Sequence, residues 1–148
     1  MRKIFLYGFA LLAALMAGLA FIVVDSRPAP AHLSLEARSG EALVQDANTL
    51  VVDIRRPEEW VQTGVVEGAV LVTFTDAESF VARIAPMLEP GQSLALICRS
   101  GNRTSRAARE IAQHIDNPVI DIAGGMLRVV AEGYTPLPPR REQGCMIC

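Results

Sequence analysis

The sequence predicts an α/β domain: a small, mostly parallel sheet flanked by helices, preceded by one N-terminal hydrophobic helix. Three observations carry that expectation. Short β-branched runs alternate with stretches of helical periodicity along most of the chain. The strand-like runs are continuously apolar instead of alternating polar and apolar, the pattern of strands covered on both faces. And the 148 residues, net charge −2, suffice for about one domain, with no global basic field to hold nucleic acid.

The first element is Ile4 to Val24, an apolar run without a single charge. As a helix it is roughly 30 Å long, enough to cross the hydrocarbon core of a bilayer. Arg2 and Lys3 precede it, and Ala29–Ala31 offers a small-x-small cleavage site. Two readings stay open: an uncleaved anchor, favoured by the length, and a cleaved secretory signal, favoured by the cleavage site. Both keep the positive residues in the cytoplasm and export the rest to the periplasmic or extracytoplasmic side of the cell envelope. Residues 1–31 are therefore read as signal or membrane anchor with a Pro/Ala linker, 32–138 as the folded domain, and 139–148 as a tail.

The domain begins with "SLEARSGEALVQ", read as a short helix capped by Ser34. "LVVDI" (50–54) is a strand. "PEEWVQ" starts a helix, with Pro57 at its first position and acids in the first turn. "AVLV" (69–72) is the second strand. "TDAE" (75–78) resembles a capping box, and its helix carries Phe80, Ile84 and Leu88 on one face until Pro86 ends or kinks it. Pro90–Gly91 is a turn. "SLALI" (93–97) is the third strand, 103–115 a helix, "PVIDI" (118–122) the fourth strand, and "GGMLRVVAEG" a glycine-led final helix.

The junction after the third strand reads "CRSGNRT" (98–104). A cysteine there stands at the carboxyl end of a strand, where open α/β sheets bind ligands. The helix that follows presents unpaired N–H groups and partial positive charge to the same place, which stabilises a thiolate, the nucleophilic form of cysteine. Gly101 permits a tight turn with inward amides, and Arg99 and Arg103 add full charge.

These residues resemble the active-site loop of the rhodanese-like sulfurtransferases. "VVDIRRPEEWVQTGVVEGAV" is similar to that family's early block and "IDIAGGMLRVVAEGYTP" to its closing block, in family order over Leu33 to Pro138. The resemblance implies a rhodanese-like fold and a persulfide on Cys98, loaded from a donor such as thiosulfate and discharged to a thiol or cyanide. It implies that Arg99, Ser100, Gly101, Asn102 and Arg103 cradle the terminal sulfur, that Thr104 contacts the cysteine, and that Arg99 and Arg103 steer the anion. No cofactor is implied. The expected partners are small sulfur-containing anions and thiol acceptors, with the membrane added if the N-terminal segment stays. Only four residues separate Cys98 from Arg103. Related phosphatase loops are longer, and the tighter ring suits one sulfur atom better than a tetrahedral phosphate. Two positions depart from the family pattern: Val65 stands where a histidine is common, and Val129 where a tryptophan is. The alternative to an enzyme is a non-catalytic sulfur-binding or thiol-sensing module.

Other polar residues have plainer readings. Asp53 and Arg55 form a structural ion pair near the end of the first strand. Arg106 pairs with Glu110 on a solvated helix face. His32 lies in the linker and His114 near a helix C-terminus, so neither is placed to serve Cys98 as a base. No metal-ligand spacing appears. Cys145 and Cys148 are a natural pair and a possible redox dithiol that could deliver a thiol to Cys98. The simpler reading is a frayed tail with a small disulfide or two exposed thiols.

Overall fold

The computed structural model describes residues 30–148. The apolar run Ile4–Val24 lies outside them, and among the described residues no helix is long and apolar enough to cross a membrane. The elements are β1 (Leu33–Glu36), α1 (Gly40–Gln45), β2 (Thr49–Asp53), α2 (Pro57–Thr63), β3 (Val70–Leu71), α3 (Ala77–Ile84), β4 (Ser93–Ile97), α4 (Asn102–Ile111), β5 (Val119–Ile122) and α5 (Gly125–Ala131), followed by a 3-10 turn at Arg141–Gln143. The strands form one five-stranded sheet in the order β1-β5-β4-β2-β3. Every pairing in it is parallel.

Side-chain alternation along β4 sorts the core. Leu94, Leu96 and Cys98 face α3 and α4, where they pack with Phe80, Ile84, Ala107, Ala108 and Ile111. Ala95 and Ile97 face the other way, toward Leu43 of α1 and Met126 and Val129 of α5. Both faces are covered, which is why the strands read as unbroken apolar runs.

The segment expected as one helix from Ser34 is a strand followed by a shorter helix. Leu33–Glu36 pairs with β5, from Leu33↔Val119 to Glu36↔Ile122. That pairing satisfies the β5 edge, whose backbone groups would otherwise lack partners. The helix cap is Ser39, whose side chain accepts from the Ala42 amide at 3.1 Å. At the "TDAE" box the cap falls one residue later than expected, on Asp76, which accepts from the Ser79 amide. α3 ends at Ile84, two residues before Pro86.

The tail is not frayed. Leu137 pairs antiparallel with Val65, and the Gln143 side chain donates to the Ala69 carbonyl at 3.0 Å. Cys145 and Cys148 form a disulfide, and Cys145 is fully buried against Trp60, Val65 and Leu71. The apolar pocket beside the short edge strand β3 draws the tail in.

Candidate active site

β4 delivers Cys98 to the carboxyl end of the sheet, and the chain turns at once into α4. The turn depends on Gly101, whose φ of +91° is open to glycine and strained for other residues. In that conformation the Gly101 amide points back and donates to Cys98 Sγ at 3.2 Å. Thr104 Oγ1 lies 3.7 Å from the same sulfur and donates to the Gly101 carbonyl at 2.8 Å. The sulfur therefore faces the N-terminal end of α4. Cys98 is 1% exposed, so the loop closes over it instead of displaying it.

The start of α5 holds the other side of the loop. The Met126 amide donates to the Cys98 carbonyl at 2.8 Å, and the Leu127 amide to the Arg99 carbonyl at 2.9 Å. This contact needs Gly125: a Cβ there would stand 2.4 Å from the Cys98 carbonyl oxygen. The paired glycines were legible as the opening of a helix. Their docking on the cysteine loop was not.

Glu59 is the second residue that sequence reasoning left without a role. It reaches from α2 to Arg103 with paired hydrogen bonds of 2.8 and 2.6 Å. The Arg103 guanidinium, helped by the Arg56 amide, holds the Glu59 carboxyl down to about 2, and Glu59 in turn holds Arg103 above its usual value. Arg103 is thus fixed beside the loop with much of its charge already answered. None of the ion pairs among the described residues uses Arg99, which is exposed. Ser100 and Asn102 are exposed as well.

Asp53 and Arg55 form the expected ion pair, and both are buried. Arg55 Nε and Nη2 clasp the Asp53 carboxylate, while Nη2 also donates to the Gly64 carbonyl at 2.6 Å and Nη1 to Thr63 Oγ1. The pair ties the end of β2 to the end of α2. Arg106 bonds Glu110 on the exposed face of α4. Both histidines lie at the far end of α4, His32 bonding the Ala112 carbonyl and His114 following the last turn. A ten-residue helix is about 15 Å long, so neither reaches Cys98.

Two hollows flank the loop. One, about 650 Å³, lies between α2 and α5 and is lined in part by Arg55, Arg99, Met126, Leu127 and Val130. The other, about 530 Å³, is charged, with Arg56, Glu58, Glu59, Arg99 and Arg103 around it. Arg99 borders both. Cys98 lines neither. Val65 and Val129 are fully buried; Val65 belongs to the cluster around Cys145 and Val129 to the α1/α5 face.

Comparison with known proteins agrees with this fold. The family model described as a rhodanese-like domain matches residues 36–132. A rhodanese-related protein from Thermoplasma volcanium superposes with a TM-score of 0.52 at 24% identity, covering 67% of this chain and 94% of that one. A rhodanese-like domain from an Anabaena sp. protein gives 0.53 at 18% identity, covering 68% and 76%. A Rhodopseudomonas palustris protein described as a possible tyrosine phosphatase gives 0.54 at 19%, covering 67% and 82%. At these identities the likeness is one of fold. No curated relative matches the chain.

Proposed function

Because the chain belongs to the rhodanese-like domain family, we propose that it is a sulfurtransferase that carries sulfane sulfur on Cys98. The observation that supports this most is the Gly101 amide aimed at Cys98 Sγ at the mouth of α4. In the first half-reaction the Cys98 thiolate attacks the outer sulfur of thiosulfate. The S–S bond of the donor breaks, and sulfite leaves with the electron pair. In the second, a thiol or cyanide attacks the terminal sulfur of the persulfide and returns Cys98 to the thiolate. The Gly101 N–H and the helix terminus answer negative charge on the sulfur in both steps. The added sulfur stands about 2 Å from Sγ, one S–S bond length. Arg99 and Arg103 draw the anionic donor toward the charged hollow they line, while Ser100 and Asn102 are exposed positions of the same loop.

The four-residue spacing between Cys98 and Arg103 argues against phosphate chemistry. A tetrahedral phosphate needs a wider ring of donors than one sulfur atom. The N-terminal apolar run supports an extracytoplasmic place of work, anchored or secreted. The near-complete burial of Cys98 favours a second reading, a sulfur-binding or thiol-sensing module without turnover. Thiosulfate:cyanide turnover by the full chain separates the two. The sulfurtransferase shows turnover that Cys98→Ser abolishes; a non-catalytic module shows none in either form.

A further inference from the structure

We propose that the Cys145–Cys148 disulfide is a second reactive site, one that exchanges with an external dithiol at Cys148 and uses Cys145 as the leaving sulfur. The two half-cystines are unequal. Cys145 is wholly buried among Trp60, Val65 and Leu71, whereas Cys148 packs only partly against that cluster. Met146 and Ile147 between them are exposed and apolar. Cys148 is the less buried of the two residues, which favours it over Cys145 as the point of attack, since exchange requires direct attack on a sulfur.

The pocket that holds Cys145 also has an unanswered donor. Trp60 Nε1 is buried without a hydrogen-bond partner, in the same cluster as Cys145. A buried N–H without an acceptor is costly. A disulfide sulfur is a poor acceptor, whereas a thiolate is a strong, charged one. Attack at Cys148 makes Cys145 the leaving sulfur, and its release takes place in the cluster that holds this unanswered N–H.

The exchange balances as two displacements. One thiolate of the dithiol attacks Cys148 Sγ, the Cys145–Cys148 bond breaks, and Cys145 departs with the electron pair. The second thiol of the partner then attacks its own mixed-disulfide sulfur and releases Cys148. The partner ends as its disulfide and the tail as a dithiol, with two electrons transferred. A monothiol stops at the first stage, and Cys145, held beside Cys148 by the chain, displaces it again. The reactive ligand is accordingly a dithiol. The site does not depend on the sulfur-transfer reading, since Cys98 belongs to a different packing cluster.

The test uses the full chain with reduced glutathione or dithiothreitol, followed by alkylation and peptide mapping of each cysteine. Dithiothreitol is expected to open the pair, and millimolar glutathione to leave it closed. Trp60, the only tryptophan of the chain, is expected to change its emission in step with Cys145 alkylation. With oxidised glutathione, Cys145→Ser is expected to form the mixed disulfide on Cys148 about tenfold faster than Cys148→Ser forms it on Cys145. Equal rates at the two sulfurs in folded variants would overturn the proposal. So would a pair that stays closed in dithiothreitol, or one that opens without moving the Trp60 emission; those two results need no variant.

Discussion

At the scale of single residues, the constraint around Cys98 is the number of protons its neighbours can offer. Thr104 has one hydroxyl hydrogen and gives it to the Gly101 carbonyl, so toward Cys98 it acts as an acceptor while that bond holds. When Cys98 ionises, the hydroxyl has to turn to the sulfur, and the Gly101 carbonyl keeps the Ser105 amide at 3.0 Å. Thr104→Val is expected to slow sulfur transfer by about tenfold, the value of one hydrogen bond to a charged group, with Thr104→Ser restoring it. Steady-state rates beside thermal melts check this. Glu59 makes a prediction in pH. Its folded value, about 2, lies below the unfolded carboxylate value of roughly 4.3. Its contribution to stability is thus fully present above the unfolded value and is lost as pH falls through the folded one. Glu59→Gln is expected to lower stability by about 1 kcal/mol at neutral pH, a figure reduced by the exposure of Arg103. The gap between wild type and variant should close between pH 5 and 2, as followed by denaturant unfolding at each pH; a gap constant across that range would contradict the assignment.

At the scale of elements, the junctions matter more than the elements themselves. α5 docks on the cysteine loop through Gly125, whose φ of +56° and nearness to the Cys98 carbonyl exclude a side chain. Gly125→Ala is expected to cost roughly 2–4 kcal/mol and to lower sulfur transfer, because the Met126 and Leu127 amides retreat from the loop. Denaturant unfolding and turnover measure both effects. The same junctions mark what the sequence could and could not reveal. β2, β4 and β5 were legible because continuous apolar runs bounded by turn residues have few other uses. α2 was legible from Pro57 and its acids, and the Cys98 loop from the strand, cysteine, glycine and helix in succession. β1 was not, because Leu33–Glu36 is an edge strand with Leu35 facing solvent, and only its partner β5 makes it a strand. Glu59 was visible as a first-turn acid, but its partner Arg103 lies 44 positions away, beyond any local rule. The two cysteines of the tail suggested their pairing by spacing; the pocket that buries one of them is made of residues from α2, the following loop and β3.

At the scale of the whole molecule, one buried ion pair and one tail hold the β3 side of the sheet to the site. Asp53 lies in register with Ile97 on one side and Leu71 on the other, so the Asp53–Arg55 pair stands between the cysteine strand and the tail pocket. Asp53→Asn leaves the buried Arg55 charge uncompensated and is expected to cost about 3–5 kcal/mol, as unfolding in urea would show. Ending the chain after Pro138 uncovers Trp60 and is expected to shift its emission to the red; an unchanged spectrum would mean that the tail does not shield it. The central claim concerns the sulfur at Cys98, and mass spectrometry of the intact chain after incubation with thiosulfate tests it most directly. A gain of one sulfur atom, mapped to the Cys98 peptide and removed by cyanide, is the predicted result. A chain that turns over thiosulfate with Cys98 unmodified, or that carries the added sulfur elsewhere, would contradict it.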